Sequence, residues 1–401
     1  MNKKLNEIID YAYKYSPYYV QRGDKGKYKD IGILENEDYD ADRLLSVDKV
    51  AKYISGDLMQ GFTSGSSGRC KEILWDKAEY VASMSELWML RKKYYGITPK
   101  DKLCYFYTLV KEEYLNEDEE FVRENAIAFP KLNLTKERMI DIYYSMLDYK
   151  PKWLLLQPSI ATLLCSVIRE YDLPDIESIE YIEFTGEILS KSTRELTRSI
   201  FKCNIANQYG ANELNSIAYE CPCGNMHIME SNVYVESIES EKNSNMSELL
   251  ITSLTNYTTP LIKYRIGDFG EISYVDCACG KRGKILTLMS GRSNDYIECE
   301  DGSQISPYVF IKAVDCINNG MKGVIKQYYI EQTGINHFIV KLYVDDESYS
   351  KEEMAYVFCE MLFEQRLANA EFVFDFQDDY IPMDSNGKFK CFRNVVDTYI
   401  H

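Results

Sequence analysis

The sequence predicts an α/β fold: a large N-terminal domain of α/β subdomains with packed sheets, followed by a small α+β C-terminal domain. Helical and strand patterns alternate through roughly the first 290 residues, which is typical of a sheet covered by helices. The last hundred or so residues instead carry a few strands with one interposed helix. The length of 401 residues fits two or three domains of about 150 residues each.

In the N-terminal part, Asp76 and Glu79 have the spacing of a capping box and predict the start of a helix. The apolar residues that follow recur at helical spacing and are Tyr80, Met84, Leu87 and Trp88. Short apolar runs at 153–156 and 179–184 predict buried strands. Ser192 with Glu195 predicts the cap of the helix after the second run.

In the C-terminal part, residues 337–344 and 371–376 alternate between apolar and polar and predict two strands. Between them, Ser350 and Glu353 predict the start of a helix. Its apolar face would hold Met354, Val357, Phe358, Met361 and Leu362. The polar run Gly291-Arg292-Ser293-Asn294-Asp295 separates the two regimes, which predicts domains at 1–292 and 293–401.

The charge balance argues against two classes of partner. Lys and Arg number 46 against 63 Asp and Glu, so the net charge is −17, and such a protein lacks the positive field that holds nucleic acid or an anionic membrane. The N-terminus has no apolar run of signal-peptide length, and the apolar stretch at 153–168 is interrupted by Gln157, Pro158 and Ser159. We therefore expect a soluble cytoplasmic protein with neither nucleic acid nor membrane as partner.

The strongest local signal is the run Thr63-Ser64-Gly65-Ser66-Ser67-Gly68-Arg69-Cys70-Lys71. Six consecutive small residues predict a loop, since they have little side chain to pack and favour turns. Exposed backbone N–H groups and hydroxyls can surround a polyphosphate, and Lys71 adds positive charge. The glycine spacing differs from a Walker A loop. A flexible surface loop is the alternative interpretation.

Four further motifs follow along the chain. They are Tyr209-Gly210-Ala211-Asn212-Glu213, Tyr264-Arg265-Ile266-Gly267-Asp268, Gly291-Arg292-Ser293-Asn294-Asp295 and Pro382-Met383-Asp384-Ser385-Asn386-Gly387-Lys388. Each has an ordinary explanation as a turn, an ion pair, a polar hinge or a loop. Their joint order is more informative than any one of them.

With these five motifs in this order, the chain resembles the adenylate-forming superfamily of acyl-CoA ligases, peptide-synthetase adenylation domains and luciferases. Within it the chain is most similar to the branch of phenylacetate-CoA ligase and CapK. The segments that support this branch are Leu5 to Tyr19, Pro158-Ser159, Thr185-Gly186-Glu187, Pro260 to Arg265 and two cysteine pairs.

The resemblance implies ATP-dependent activation of a small carboxylic acid as its adenylate, with release of pyrophosphate. Two anions must meet in this reaction, so positive charge is needed between them. Lys388 would supply it, with Lys390 as the second choice, and Arg292 would reach the ribose or a phosphate. Glu213 would help to hold Mg²⁺.

The remaining nucleotide contacts are implied in the same way. The loop of Thr63, Ser64, Gly65, Ser66, Ser67, Gly68 and Lys71 would grip the pyrophosphate end of ATP. Asp268 would bind both ribose hydroxyls, Gly186 and Glu187 would shape the adenine slot, and Tyr209, followed by Gly210, would stack on the purine.

Family members then rotate a mobile C-terminal domain and pass the acyl group to a thiol, here CoA or the phosphopantetheine of an acyl carrier protein. Asn212 stands where Thr is usual, and Asn294 stands where Asp is usual at the hinge. Three alternatives stay open: transfer to an amine or a protein nucleophile, an acyl-carrying Cys391, and a nucleotide-binding relative without catalysis.

The runs Glu220-Cys221-Pro222-Cys223-Gly224 and Asp276-Cys277-Ala278-Cys279-Gly280 are near-duplicates. Four thiolates so arranged can surround a structural Zn²⁺. His227 complicates the count, because the phenylacetate-ligase branch often has a nearby histidine. The prediction is a site of Cys221, Cys277 and Cys279 with either Cys223 or His227. Buried free thiols are the alternative.

Overall fold

The computed structural model describes residues 3–63, 71–107, 121–123, 125–131, 134–240, 247–292, 297–302, 304–305, 307–321, 323–344, 348–363, 367–381 and 391–396. Within these ranges, no helix combines the length and the apolar character needed to cross a bilayer.

Ten α-helices lie in the described ranges. They are α1 (Lys3–Tyr15), α2 (Pro17–Val20), α3 (Ala41–Leu44), α4 (Val50–Ile54), α5 (Lys77–Tyr95), α6 (Lys136–Tyr149), α7 (Pro158–Glu170), α8 (Lys191–Phe201), α9 (Tyr308–Gly320) and α10 (Lys351–Phe363).

The same ranges contain twenty strands. They are β1 (Met59–Thr63), β2 (Lys71–Trp75), β3 (Leu103–Tyr107), β4 (Phe121–Arg123), β5 (Ala126–Pro130), β6 (Trp153–Leu156), β7 (Tyr181–Phe184), β8 (Asn204–Ala211), β9 (Asn215–Glu220), β10 (Met226–Ile228), β11 (Val233–Glu239), β12 (Ser247–Ser253), β13 (Tyr264–Asp276), β14 (Arg282–Arg292), β15 (Ile297–Glu298), β16 (Gln304–Ile305), β17 (Ile325–Gly334), β18 (His337–Val344), β19 (Glu371–Gln377) and β20 (Phe392–Asn394).

The chain forms two compact units, and the first comprises Met1–Thr98 and Ala206–Met289. Strands β11, β12, β13, β14, β10, β9 and β8 lie side by side in that order, and β1 and β2 form a separate antiparallel pair. A core that includes Leu5, Ile8 and Tyr19 of the first two helices packs with strand residues such as Ile217 and Ile251. The helical N-terminus therefore supports the strands that carry three of the motifs.

The second unit comprises Pro99–Ile205 and Ser290–His401. Its strands lie side by side in the order β7, β6, β3, β5 and β4. Strand β3 is parallel to both β5 and β6, and β6 is parallel to β7. Helix α6 leads from β5 to β6, which lie on either side of β3, and helix α7 is the crossover between the parallel neighbours β6 and β7. A second sheet, ordered β19, β18, β17, β20, packs against α9 and α10 around Phe310, Phe338 and Phe358.

The predicted local elements are largely confirmed. Asp76 caps α5 by accepting a hydrogen bond from the Ala78 N–H. Strands β6 and β7 lie within the two predicted apolar runs. At the start of α10, the Ser350 hydroxyl accepts a hydrogen bond from the Glu353 N–H. The predicted α/β fold class is confirmed.

One predicted cap was wrong. Helix α8 begins two residues earlier than expected, and its cap is Ser190, whose Oγ accepts from the Thr193 N–H at 3.0 Å. Ser192 lies inside the first turn, where its hydroxyl bonds Asp315 instead. On α10, Met354, Phe358 and Leu362 are buried as predicted, whereas Met361 is 38% exposed. The division of the chain after Arg292 stays a prediction.

Candidate active site and metal centre

The ends of the small-residue loop are held by an antiparallel strand pair. Thr63 ends β1, Lys71 begins β2, and the two residues are register partners. Residues 64–70, which include Ser64, Gly65, Ser66, Ser67 and Gly68, lie outside the described residues. The structure therefore describes the two residues that flank this run, and the predicted loop between them stays a prediction.

The Lys71 ammonium lies among polar and aromatic groups of the first unit. Its Nζ donates to the main-chain carbonyl of Asn36 and, at 2.6 Å, to the Asn36 Oδ1. The rings of Tyr39 and Tyr264 lie 5.1 and 5.7 Å from Nζ, within the range of cation–π attraction. These contacts hold the ammonium in place.

The turn between β8 and β9 carries the second motif. A Cβ on Gly210 would lie 2.3 Å from the Asn215 carbonyl oxygen, so only glycine fits this close approach. Glu213 is buried, and Asn212 is exposed, with its carbonyl accepting a hydrogen bond from Trp75 Nε1 at 3.2 Å. The turn thus places the Glu213 carboxylate inside the first unit.

Strand β13 carries the third motif and connects it to the second. The Tyr209 hydroxyl donates to Asp268 Oδ2 at 2.6 Å, and the Tyr264 hydroxyl donates to Glu213 Oε1 at 3.1 Å. Burial raises the pKa of Tyr264, and the Glu213 carboxylate raises it further, so the hydroxyl stays protonated. Asp268 is only partly buried. The second and third motifs therefore meet through two tyrosine–carboxylate bonds.

Arg265, in the middle of the third motif, forms two ion pairs. Its guanidinium pairs with Glu248 and, through Nε at 2.9 Å, with Glu35. Both carboxylates belong to the first unit, and Glu248 is buried. These ion pairs attach the segment before Asn36 to β12 and β13.

The second unit carries the predicted adenine-slot residues after β7. The Glu187 carboxylate accepts from the Ser159 N–H at 2.9 Å and from its hydroxyl at 2.8 Å. Gly186 has φ of +80°, which favours glycine, and a Cβ there would lie 3.7 Å from the Gln157 side chain. Two of the segments that carry the resemblance therefore contact each other, and the adenine-slot role of Gly186 and Glu187 stays a prediction.

Two predicted catalytic residues are less completely described. Arg292 is the last residue of β14, and its side chain lies outside the described part. Lys388 and Lys390, together with the hinge residue Asn294, lie outside the described residues altogether. Their roles stay predictions.

Cys391, three residues after Lys388 in the chain, packs against a small buried cluster of Tyr343 and Ile381. Burial raises the pKa of its thiol to about 12, and the Glu187 carboxylate contributes to the same shift. A thiol that stays protonated is a poor nucleophile. The environment of Cys391 therefore disfavours the acyl-carrying role left open above.

The cysteine pairs form a compact group in the first unit. One ligand atom from each of Cys221, His227, Cys277 and Cys279 lies within 4.8 Å of the others. The Cys221 and Cys277 sulfurs are 3.7 Å apart, and the Cys279 sulfur is 3.3 Å from His227 Nε2. Cys223 is exposed and is not part of this group. The geometry thus favours His227 over Cys223 as the fourth member.

Matching turns present the two cysteine pairs. The Gly224 N–H donates to the Cys221 carbonyl, and the Gly280 N–H donates to the Cys277 carbonyl, at 2.9 and 3.0 Å. Both glycines have φ near +80°, which explains why each pair is followed by glycine.

Hydrogen bonds also act on the sulfurs themselves. The Cys279 N–H and the Asn225 amide bond the Cys277 sulfur and lower its pKa to about 5, whereas burial raises the pKa of Cys221 to about 12.

Comparisons with known proteins support the motif resemblance. No family model matches the chain. It is 25% identical over 160 residues to a phenylacetate-coenzyme A ligase of Thermus thermophilus. The matched residues are 37% of this chain and 36% of that protein. It is also 25% identical over 205 residues to protein CapK of Staphylococcus aureus. Those residues are 51% of this chain and 44% of that protein. The match thus spans less than half the length of either curated relative.

Solved structures match over more of the chain. A 2-hydroxyisobutyryl-CoA ligase in complex with 2-HIB-AMP has a TM-score of 0.72 at 15% identity, covering 99% of this chain and 90% of that one. The anthranilate CoA ligase AuaEII in complex with anthranoyl-AMP has a TM-score of 0.57 at 13% identity, covering 83% and 66%. The chain therefore has the fold of these CoA ligases.

Proposed function

We propose that the protein activates a carboxylic acid as its acyl-adenylate, releasing pyrophosphate, and then transfers the acyl group to the thiol of CoA. The observation that carries this proposal is the pair of bonds Tyr209–Asp268 and Tyr264–Glu213. They bring the second and third motifs together beside Lys71, at the end of the small-residue loop. The CoA ligases named above support the same reaction class.

The proposed nucleotide contacts follow from the chemistry of each group. Asp268 is partly buried and oriented by Tyr209, so its carboxylate can accept hydrogen bonds from the two ribose hydroxyls. The backbone N–H groups of the loop 63–71 would bind the pyrophosphate end. Gly186 and Glu187 of the second unit would shape the adenine slot, and Tyr209 would stack on the purine.

The chemical step needs positive charge between the substrate carboxylate and the α-phosphate, because both are anions. We assign this charge to the Lys388 ammonium. Arg292, which closes β14, would add a second positive group at the ribose or phosphate.

Glu213 fits a magnesium ligand. One oxygen, Oε1, is held by Tyr264, and the other has no hydrogen bond recorded among the described residues. Magnesium typically takes one or two carboxylates together with substrate phosphates and water. When bound, the ion would neutralise the phosphates of ATP.

We further propose that Cys221, His227, Cys277 and Cys279 hold a structural zinc. Two sulfurs at about 2.3 Å from a tetrahedral zinc are about 3.8 Å apart, and the Cys221 and Cys277 sulfurs are 3.7 Å apart. His227 Nε2 lies 3.3 Å from the Cys279 sulfur, so we assign Nε2 as the ligand atom. The zinc would join the β9–β10 and β13–β14 turns and take no part in the reaction.

The acyl acceptor is proposed from the relatives. CoA is the first choice, and the phosphopantetheine of an acyl carrier protein offers the same thiol. ATP and CoA as substrates, with twelve cysteines in the chain, fit a cytoplasmic location.

Exchange of labelled pyrophosphate into ATP, measured across a panel of aryl, fatty, hydroxy and amino acids, tests the first half-reaction. At least one acid should support exchange, and the same acid should yield a thioester with CoA. Parallel reactions with a carrier protein and with amines separate the acceptors. ATP binding without exchange for any acid would instead indicate the non-catalytic relative.

A further inference from the structure

A continuous line of hydrogen bonds joins the cation after the small-residue loop to the carboxylate proposed for magnesium. Lys71 Nζ donates to Asn36 Oδ1 at 2.6 Å, and Asn36 Nδ2 donates to the Tyr264 hydroxyl oxygen at 2.9 Å. The Tyr264 hydroxyl then donates to Glu213 Oε1 at 3.1 Å. All four residues belong to the first unit.

The donors and acceptors allow only one direction along this line. An ammonium can only donate, so the Asn36 oxygen must face Lys71 and its NH₂ group must face Tyr264. The hydroxyl has a single proton, and a carboxylate can only accept, so that proton points to Glu213. Asn36 and Tyr264 are thereby fixed in orientation by the charges at the two ends.

We propose that Tyr264 and Asn36 are positioning residues for Glu213. The inference rests on the proposed function. Tyr264 belongs to the third motif, and Asn36 lies outside every motif. Together they would hold one oxygen of the Glu213 carboxylate so that the other oxygen faces the ATP-bound cation.

Burial makes this arrangement consequential. Tyr264 is fully buried and Glu213 is 7% exposed, so the Tyr264 hydroxyl holds Oε1 at a position with little access to solvent. A carboxylate without that donor is free to rotate toward the Lys71 ammonium, whose Nζ already lies 3.4 Å from the same hydroxyl. The intervening Tyr264 and Asn36 keep the two charges from forming a direct ion pair. Loss of such an outer-sphere partner typically costs about 10- to 100-fold in metal affinity or activity.

The test compares Tyr264→Phe with Tyr39→Phe. Tyr39 is the matched control, because its ring also faces Lys71 while its hydroxyl donates to the Glu72 main-chain carbonyl at 3.0 Å and not to Glu213. The measured quantity is the Kd of ATP, determined by calorimetry in buffer with Mg²⁺ and in buffer without it. The second buffer is freed of Mg²⁺ by a resin before the protein is added, so that the cysteine site keeps its metal.

We expect Tyr264→Phe to weaken binding of Mg·ATP about 10- to 100-fold and to leave binding of metal-free ATP unchanged. Tyr39→Phe should leave both constants unchanged. Equal loss with and without Mg²⁺, or no loss, would overturn the inference while leaving the proposed function standing. Wild-type protein that binds no ATP in either buffer would overturn both.

Thermal unfolding of each variant guards against a general loss of structure. If Tyr264→Phe does not fold, Asn36→Leu can be used instead. It removes the hydrogen bond from Asn36 to the Tyr264 hydroxyl, and Asn36 is only partly buried. It should weaken Mg·ATP selectively as well, and an unchanged ratio of the two constants in that variant would refute the positioning role.

Discussion

His227 Nε2 lies 3.3 Å from Cys279 Sγ, although 52 residues separate them in the chain. His227 is on the short strand β10, and Cys279 lies in the turn between β13 and β14. The contact exists because β10 pairs with β14, where His227 and Ile285 are register partners. Sheet pairing therefore selects the histidine as a member of the cysteine group.

Zinc content should depend on this group and not on Cys223. Wild-type protein should contain about one zinc per chain, as a four-ligand site implies. Cys277→Ser should lose most of it and unfold at a lower temperature, because metal binding stabilises the folded state. Elemental mass spectrometry and thermal unfolding measure both effects.

The matched control is Cys223→Ser, which changes an exposed cysteine of the same motif. It should keep the zinc and the unfolding temperature. Wild-type protein without zinc, or equal zinc loss in both variants, would contradict the assignment.

Lys388→Ala should bind ATP normally and lose pyrophosphate exchange by about 10²- to 10³-fold, the usual effect of removing one preorganised group. Exchange rates and ATP calorimetry separate the two steps. Lys390→Ala, two residues away, should remain close to wild type. Reversed results would move the role to Lys390, and normal exchange in both variants would refute it.

Asp268→Ala should weaken ATP binding by about 10- to 100-fold, since a hydrogen bond to a charged group contributes about 1.5–3 kcal/mol. The specific check uses 2′-deoxyATP. Wild-type protein should prefer ATP over this analogue, and the variant should bind the two nearly equally. A variant that still discriminates would show that the ribose is recognised elsewhere.

Gly210→Ala should destabilise the protein by about 1–3 kcal/mol, the usual range for overpacking a filled site. The new Cβ would lie 2.3 Å from a main-chain oxygen of Asn215, which cannot move without distorting the β8–β9 turn. Urea unfolding measures the loss. Gly320→Ala, at the exposed end of α9 with open space around the new Cβ, should be neutral or stabilising by up to about 1 kcal/mol.

Cys391 should be unreactive and dispensable. Its pKa of about 12 means that the thiolate fraction is very small at pH 8 and grows only as the pH approaches that value. Iodoacetamide at pH 8 should therefore spare Cys391 in the native protein and label the exposed Cys316. Cys391→Ala should retain pyrophosphate exchange, and loss of thioester formation in that variant would restore the acyl-carrying role.

Much of this protein could be predicted from short stretches of sequence. The Asp76 cap and the strands β6 and β7 each depend on neighbours a few residues apart, so local hydrogen bonding and apolar periodicity are enough to predict them. The misplaced cap at Ser192 shows the limit of that information, since Ser190 offers the same chemistry two residues earlier.

The order of the motifs, together with their residue types, indicated the resemblance to the adenylate-forming superfamily and singled out Tyr209, Glu213 and Asp268 as candidates. Only the tertiary structure decided that Asn36, which belongs to no motif, bonds Tyr264 across 228 residues, and that His227 joins the cysteine group in place of Cys223. Such contacts depend on which strands pair and in what register, and that choice follows from packing of the whole core.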